Sequence, residues 1–239
     1  ADTVNVGVRL LDNVLDVNQY PIKEIEINCQ KVRRIGLGIM GLGHALVKMG
    51  YKYGSEEGNA QVDKIMKFIK ERAYEASTFL AVERGPFEAY NENFLNSGFV
   101  KTLPRRIKQN IREHGVRNCA LLTIAPTGTT SMVMGTSSGI EPIFAPGYIR
   151  RYYDSDNKSN DRILKEEIVV DPLFKEIYEG GADMNSFVAT ENLSVRNHME
   201  VQAVCQKHID NSISKTINIP KDYAIDDYGD LMLEFGPQL

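Results

Sequence analysis

The stretch CALLTIAPTGTTS, Cys119 to Ser131, joins a short apolar run to a cluster of proline, glycine and hydroxyl residues. Cys119 to Ile124 reads as a buried strand, because it is short, apolar and bounded by a turn signal. Pro126 fixes the exit from that strand. Gly128 lets the backbone approach a ligand closely. Thr127, Thr129, Thr130 and Ser131 offer hydroxyls, and a helix opening here adds free N–H groups and a positive dipole end. That composition suits an anion cradle, most simply for phosphate. It equally suits a hydroxyl-capped turn that holds nothing. A Walker loop is excluded, since the closing Gly-Lys-Ser/Thr is missing.

Working outward, helical periodicity dominates. Val4, Val8, Leu11, Val14 and Leu15 share one face, and that helix ends before Tyr20-Pro21. Pro21 opens a second helical stretch over PIKEIEINCQKVRR. The clearest helix runs from Ser55, as N-cap with Glu56 and Glu57 in the first turn, to Arg84, stopped by Gly85-Pro86. Its apolar positions Val62, Ile65, Met66, Ile69, Ala73, Ala76 and Leu80 form one buried face. Residues 87–102 read as a loop, Pro104 to His114 as a short basic helix, and 151–161 as a polar exposed loop. Helices are expected at 172–179, 195–210 and 225–235, and a strand at SKTINIP, Ser214 to Pro220. Helices alternating with short buried strands point to an α/β architecture.

With 239 residues, 42% of them apolar, the chain can bury a sizeable core. The net charge of −4 argues against a general binder of nucleic acid or membrane surfaces. No segment has the apolar length of a membrane span, and the N-terminus lacks a signal pattern. Cys29, Cys119 and Cys205 are widely spaced with no CxxC pair, which fits a reducing compartment and excludes a cysteine-rich zinc module. A cytoplasmic globular protein is expected. The chain opens almost inside a periodic segment and closes on GDLMLEFGPQL, so it reads as a piece of something larger.

Gly36-Leu37-Gly38-Ile39-Met40-Gly41 satisfies GxGxxG, with Glu56 or Glu57 as a ribose-binding acid. A dinucleotide site needs that turn between a strand and a helix. The residues before it, Glu24 to Arg34, are charged and helically spaced, so close packing by the glycines is the competing account. Glu141, in Ser137-Ser138-Gly139-Ile140-Glu141-Pro142, is either a buried acid or a plain turn acid. His44, His114, His198 and His208 show no metal-ligand spacing. Cys119 beside the hydroxyl loop is either reactive or simply buried. Arg150, Arg151, Tyr152 and Tyr153 read as a snorkelling surface patch or an anion contact.

Taken together, LLDNVLDVNQYP (10–21), RRIGLGIMGLGHAL (33–46), ERGPF (83–87), GVRNCALLTIAPTGTTSMVMGTSSGIEPIF (115–144) and SKTINIP (214–220) resemble the large, catalytic subunit of ribonucleotide reductases. The resemblance is nearest to the adenosylcobalamin-dependent class II enzymes and covers nearly the whole chain. It implies an α/β fold with many helices, part of a ten-stranded α/β barrel of two five-stranded halves. Residues 1–239 would be the C-terminal portion of that barrel, one domain incomplete at both ends. It places GLGIMGLG in the helical scaffold. It assigns substrate-phosphate binding to Thr127, Gly128, Thr129 and Thr130, with Pro126 shaping the turn.

The implied reaction is reduction of ribonucleoside di- or triphosphates to deoxyribonucleotides by a thiyl radical, with adenosylcobalamin as cofactor. Implied partners are the ribonucleotide, the upstream part of the reductase in the same or a separate chain, a thiol reductant such as thioredoxin, and a second copy in a homodimer. Nucleic acid, membrane and metal sites are not expected. No Asn-x-Cys-x-Glu matching the family's radical cysteine occurs, so no catalytic residue is expected in this chain, which alone should reduce nothing. Two alternatives stand beside this: a nicotinamide-dependent oxidoreductase built on GLGIMG, and a non-catalytic reductase fragment.

Overall fold

The computed structural model describes residues 1–153, 164–181 and 183–239. Helix α1 spans Asp2–Val17, α2 Lys23–Val32, α3 Leu42–Lys48 and α4 Glu56–Arg84. Ser55 Oγ accepts from the Gly58 amide at 3.0 Å, and Gly85 ends α4 with φ +81°, a conformation glycine adopts without strain. The 29 residues of α4 extend about 43 Å at 1.5 Å per residue. Its buried face carries Val62, Met66, Ala73, Ala76 and Leu80, with Ile69 partly buried on the same core, as the spacing predicts; Ile65 is only half-buried and outside that core, and Tyr74 joins it unpredicted. Helix α1 packs on α4 through Val8, Leu11 and Leu15.

The stretch 87–102 is not wholly a loop: it holds a 3₁₀ turn at Glu92–Asn96 and α5, Gly98–Lys101. Helix α6 spans Arg105–His114 and α7 Gly128–Val133. Strands β1, Gly147–Tyr153, and β2, Leu164–Val170, pair antiparallel from Gly147↔Val170 to Tyr153↔Leu164. The expected loop at 151–161 is therefore corrected for 151–153, which belong to β1; the rest lies outside the described residues. Helices α8, Pro172–Gly180, α9, Val195–Gln206, and α10, Ile225–Phe235, complete the order. Helix α9 stops four residues before the expected end at 210, because His208 and Ile209 already turn back through 3₁₀-type bonds to Cys205 and Gln206.

The centre of the molecule corrects two strand expectations. Residues 35–37, 119–124 and 212–214 lie side by side as extended, parallel chain, but join only through isolated bridges, Leu37↔Leu122 and Ile124↔Ile213. The reason is the Asp210 carboxylate, which accepts from the Leu121 amide at 2.9 Å and the Leu122 amide at 2.7 Å. A side chain thus takes donors that a neighbouring strand would otherwise pair. SKTINIP forms no strand either. After the Ser214 amide donates to the Ile124 carbonyl at 2.7 Å, the segment turns irregular.

The described residues are thus mostly helical with one small sheet, and a ten-stranded ladder is not among them. The main core gathers Leu121, Leu122 and Ile124 against Leu46, Tyr53, Met66, Tyr74, Ile107 and Val201. Among the described residues, no helix is long and apolar enough to cross a membrane.

Candidate functional site

Helix α7 opens where the central extended segment ends, beside a cavity of about 670 Å³. Gly128, Ser131 and Gly135 line it from the α7 side. Ser137, Ser138, Glu141 and Pro142 line it from the following turn, Arg150 and Glu167 from the ribbon, and His198, Thr216 and Asn218 from the C-terminal side.

Of the five residues expected to hold phosphate, only Gly128 lines the cavity. A Cβ at Gly128 would meet nothing within 4 Å, and its φ is not left-handed. Neither packing within the chain nor backbone strain therefore requires glycine here. Among the described residues, nothing accepts from the amides of Gly128, Thr129 and Thr130. Thr127 does not cap α7; its Oγ1 accepts from the Gly139 amide at 2.7 Å and lies 3.2 Å from Ser138 Oγ. Thr127 thereby ties the loop to the Ser137–Glu141 turn. Pro126, Thr129 and Thr130 are exposed and do not line the cavity.

Among the described residues, two of the three carboxylates on the cavity wall, Asp171 and Glu141, are held by hydrogen bonds. Asp171 caps α8 by accepting from the amides of Leu173 and Phe174, and its Oδ2 lies 2.9 Å from His44 Nε2. Glu141 accepts from the Thr216 amide at 2.7 Å and from Lys215 Nζ at 2.5 Å, and with its side chain 24% exposed it is a paired, half-buried acid rather than the buried acid of the first reading. Arg150 and Glu167 face each other in register on the ribbon. An anion here would rest on backbone amides and the α7 dipole rather than on a ring of cations.

Sequence reasoning missed Lys215 and His198. The Lys215 side chain is 0% exposed. Besides Glu141, its ammonium reaches the Thr216 carbonyl at 2.6 Å and His198 Nδ1 at 3.0 Å. Burial pushes Lys215 down, while the Glu141 carboxylate pulls it up. The one available signal was a lysine among the alternating apolar residues of SKTINIP, which needs a partner if it is buried.

The glycine motif is structural. A Cβ on Gly36 would come 2.6 Å from Thr123 Cγ2, and on Gly41 2.5 Å from Thr136 Oγ1. On Gly38 it would run into the Thr123 carbonyl oxygen, and on Gly43 it would lie 2.8 Å from the Glu141 carbonyl oxygen. These glycines let the chain press against the central segment and the Glu141 turn, leaving no opening for a pyrophosphate. Residues 36–38 are extended rather than helical, and the helical scaffold starts only at α3. Cys119 is half-buried with its thiol pushed up by burial, and Cys205 is pushed up to about 12 by burial, so neither behaves as a reactive thiolate.

Residues 1–234 match the family model described as ribonucleotide reductase, barrel domain. The chain is 34% identical to the vitamin B12-dependent ribonucleoside-diphosphate reductase of Mycobacterium tuberculosis (strain CDC 1551 / Oshkosh), over 95% of this chain and 33% of that protein. It is 32% identical to the protein of the same description from Thermoplasma acidophilum, over 95% of this chain and 30% of that one. It is 29% identical to the ribonucleoside-diphosphate reductase subunit alpha of Treponema pallidum (strain Nichols), over 96% of this chain and 26% of that one. The chain therefore spans a third or less of the length of these curated relatives.

Proposed function

The chain belongs to the ribonucleotide reductase barrel-domain family, and from that premise we propose that it supplies the substrate-phosphate site of a reductase converting ribonucleoside di- or triphosphates to deoxyribonucleotides. The observation that carries this is Gly128: a glycine no neighbour requires, at the mouth of a cavity, followed by amides without acceptors. Phosphate oxygens would accept from the amides of Gly128, Thr129 and Thr130, with the hydroxyls of Thr129 and Thr130 alongside and Pro126 shaping the entry. Thr127 would hold the loop to the Glu141 turn. The parallel extended segments 35–37, 119–124 and 212–214 would be short rungs of the ten-stranded barrel in the complete enzyme.

The relatives named as vitamin B12-dependent support adenosylcobalamin as the cofactor, which when bound supplies the radical. Its contacts would lie on other parts of the enzyme. His44 pairs with Asp171, His208 with Asp63, and His198 Nδ1 with Lys215. His114 is exposed beside Glu113. The radical cysteine and the reducing cysteine pair would also come from elsewhere in the enzyme, with a thioredoxin-type system as electron source and a homodimer as the assembly. This chain's part is positioning: anchoring the phosphates fixes where the ribose presents its reacting hydrogen.

Amide hydrogen exchange of the complete enzyme tests the assignment. Adding ADP slows exchange at residues 128–130 if those amides bind phosphate. Unchanged exchange there, with ADP bound, removes the loop from the site.

A further inference from the structure

We propose that His198 is a further ligand-contacting residue of this cavity, and that Lys215 positions it as a neutral Nε2–H donor to an oxygen of the bound nucleotide. The inference rests on the nucleotide reading above and adds a residue to it.

The geometry is specific. His198 projects from α9, is 1% exposed, and lines the same cavity as Gly128. An ammonium has three protons and no lone pair, so every contact of Lys215 is a donation. Its three close partners are Glu141 Oε2, the Thr216 carbonyl oxygen and His198 Nδ1. His198 Nδ1 must therefore accept, which leaves the proton of the neutral ring on Nε2. That Nε2 has no partner among the described residues, although it is buried. A buried donor without an acceptor is costly to stability, so a ligand oxygen that reached Nε2 would be favoured. Burial, and then the Lys215 charge, push His198 down to about 4, so the ring stays a neutral donor across the working range. The partner must offer oxygen lone pairs, as the phosphate or sugar of a nucleotide does.

Steady-state kinetics of the complete enzyme with ADP as substrate provide the test. His198→Leu removes the donor and raises KM about 10- to 100-fold, the loss expected for a hydrogen bond to a charged group, while kcat stays within about threefold. His198→Gln keeps an acceptor for Lys215 and a donor for the ligand, and restores KM to within about threefold. Lys215→Met frees Nδ1, lets the proton leave Nε2, and raises KM as well. An unchanged KM in His198→Leu overturns the proposal. If Gly128→Val still raises KM in that case, the phosphate site stands without His198. If neither variant changes KM, the nucleotide reading falls too. Should His198→Leu fail to fold, ¹⁵N-histidine spectra of the unmodified enzyme decide: the His198 Nε2 resonance moves on adding ADP, and a stationary resonance refutes the contact.

Discussion

Replacing Gly128 by valine tests the proposed phosphate site while leaving the packing around that residue undisturbed. The new Cβ meets no protein atom within 4 Å, and the residue opens α7 with a φ that any L-residue accepts. Helix propensity differs between glycine and valine by under about 1 kcal/mol, so the melting temperature should stay nearly unchanged. Binding is another matter. An isopropyl group at the cavity mouth stands where a phosphate must approach the amides of 128–130. Each charge-assisted hydrogen bond contributes about 1.5–3 kcal/mol, so blocking two of them costs about 3–6 kcal/mol. At 1.36 kcal/mol per decade, that is at least a hundredfold rise in KM for ADP. The assay is steady-state turnover of the complete enzyme, with a thermal melt as control. A KM within twofold of the unmodified enzyme, in a variant that melts normally, would refute the reasoning.

Three further outcomes follow from the scaffold. Gly38→Ala forces a methyl against the Thr123 carbonyl oxygen and should destabilise by about 1–3 kcal/mol, read as a lowered melting temperature; normal stability would reopen a ligand role for the glycines. Asp210→Ala orphans the amides of Leu121 and Leu122 and the Tyr74 hydroxyl, which donates to Asp210 at 2.7 Å. It should cost about 2–4 kcal/mol in denaturant titration, and a neutral result would show that the central segment finds other acceptors. Asp12 is wholly buried and accepts from Arg33 Nε at 2.9 Å and Asn118 Nδ2 at 3.0 Å. Burial pushes its carboxyl up, but Arg33, Arg117 and Asn118 outweigh that and hold it below its ordinary value. Its contribution is therefore present above the unfolded-state value near 4 and is lost as pH falls through the lower folded value. Asp12→Asn should flatten that acid limb and destabilise at neutral pH by about 3–5 kcal/mol; an unaltered acid-unfolding profile would count against it.

The helices were legible wherever their signals were local. Ser55 and Gly85 mark both ends of α4, and the three-and-four spacing of Val62, Met66, Ala73, Ala76 and Leu80 marks its face. The central segment was misread as a regular strand because two of its amides, those of Leu121 and Leu122, go to one carboxylate, Asp210, almost ninety residues away in sequence. The ribbon escaped notice for a different reason. Its side chains are nearly all exposed on both faces, so no period-two pattern marks it. At the site, the cradle proposed at PTGTT was drawn from residue type and family resemblance, and of its five residues only Gly128 lines the cavity. The Lys215–Glu141–His198 cluster could not announce itself, since its members come from an irregular C-terminal stretch, a turn and a helix. The matched family, and relatives aligned over 95% of the chain, agree with the resemblance carried by those motifs.

The most direct test of the phosphate site is a structure of the complete enzyme with ADP bound. The account predicts phosphate oxygens within hydrogen-bonding distance of the amides of Gly128, Thr129 and Thr130. ADP bound as substrate with its phosphates elsewhere, and those amides facing only water, would contradict it.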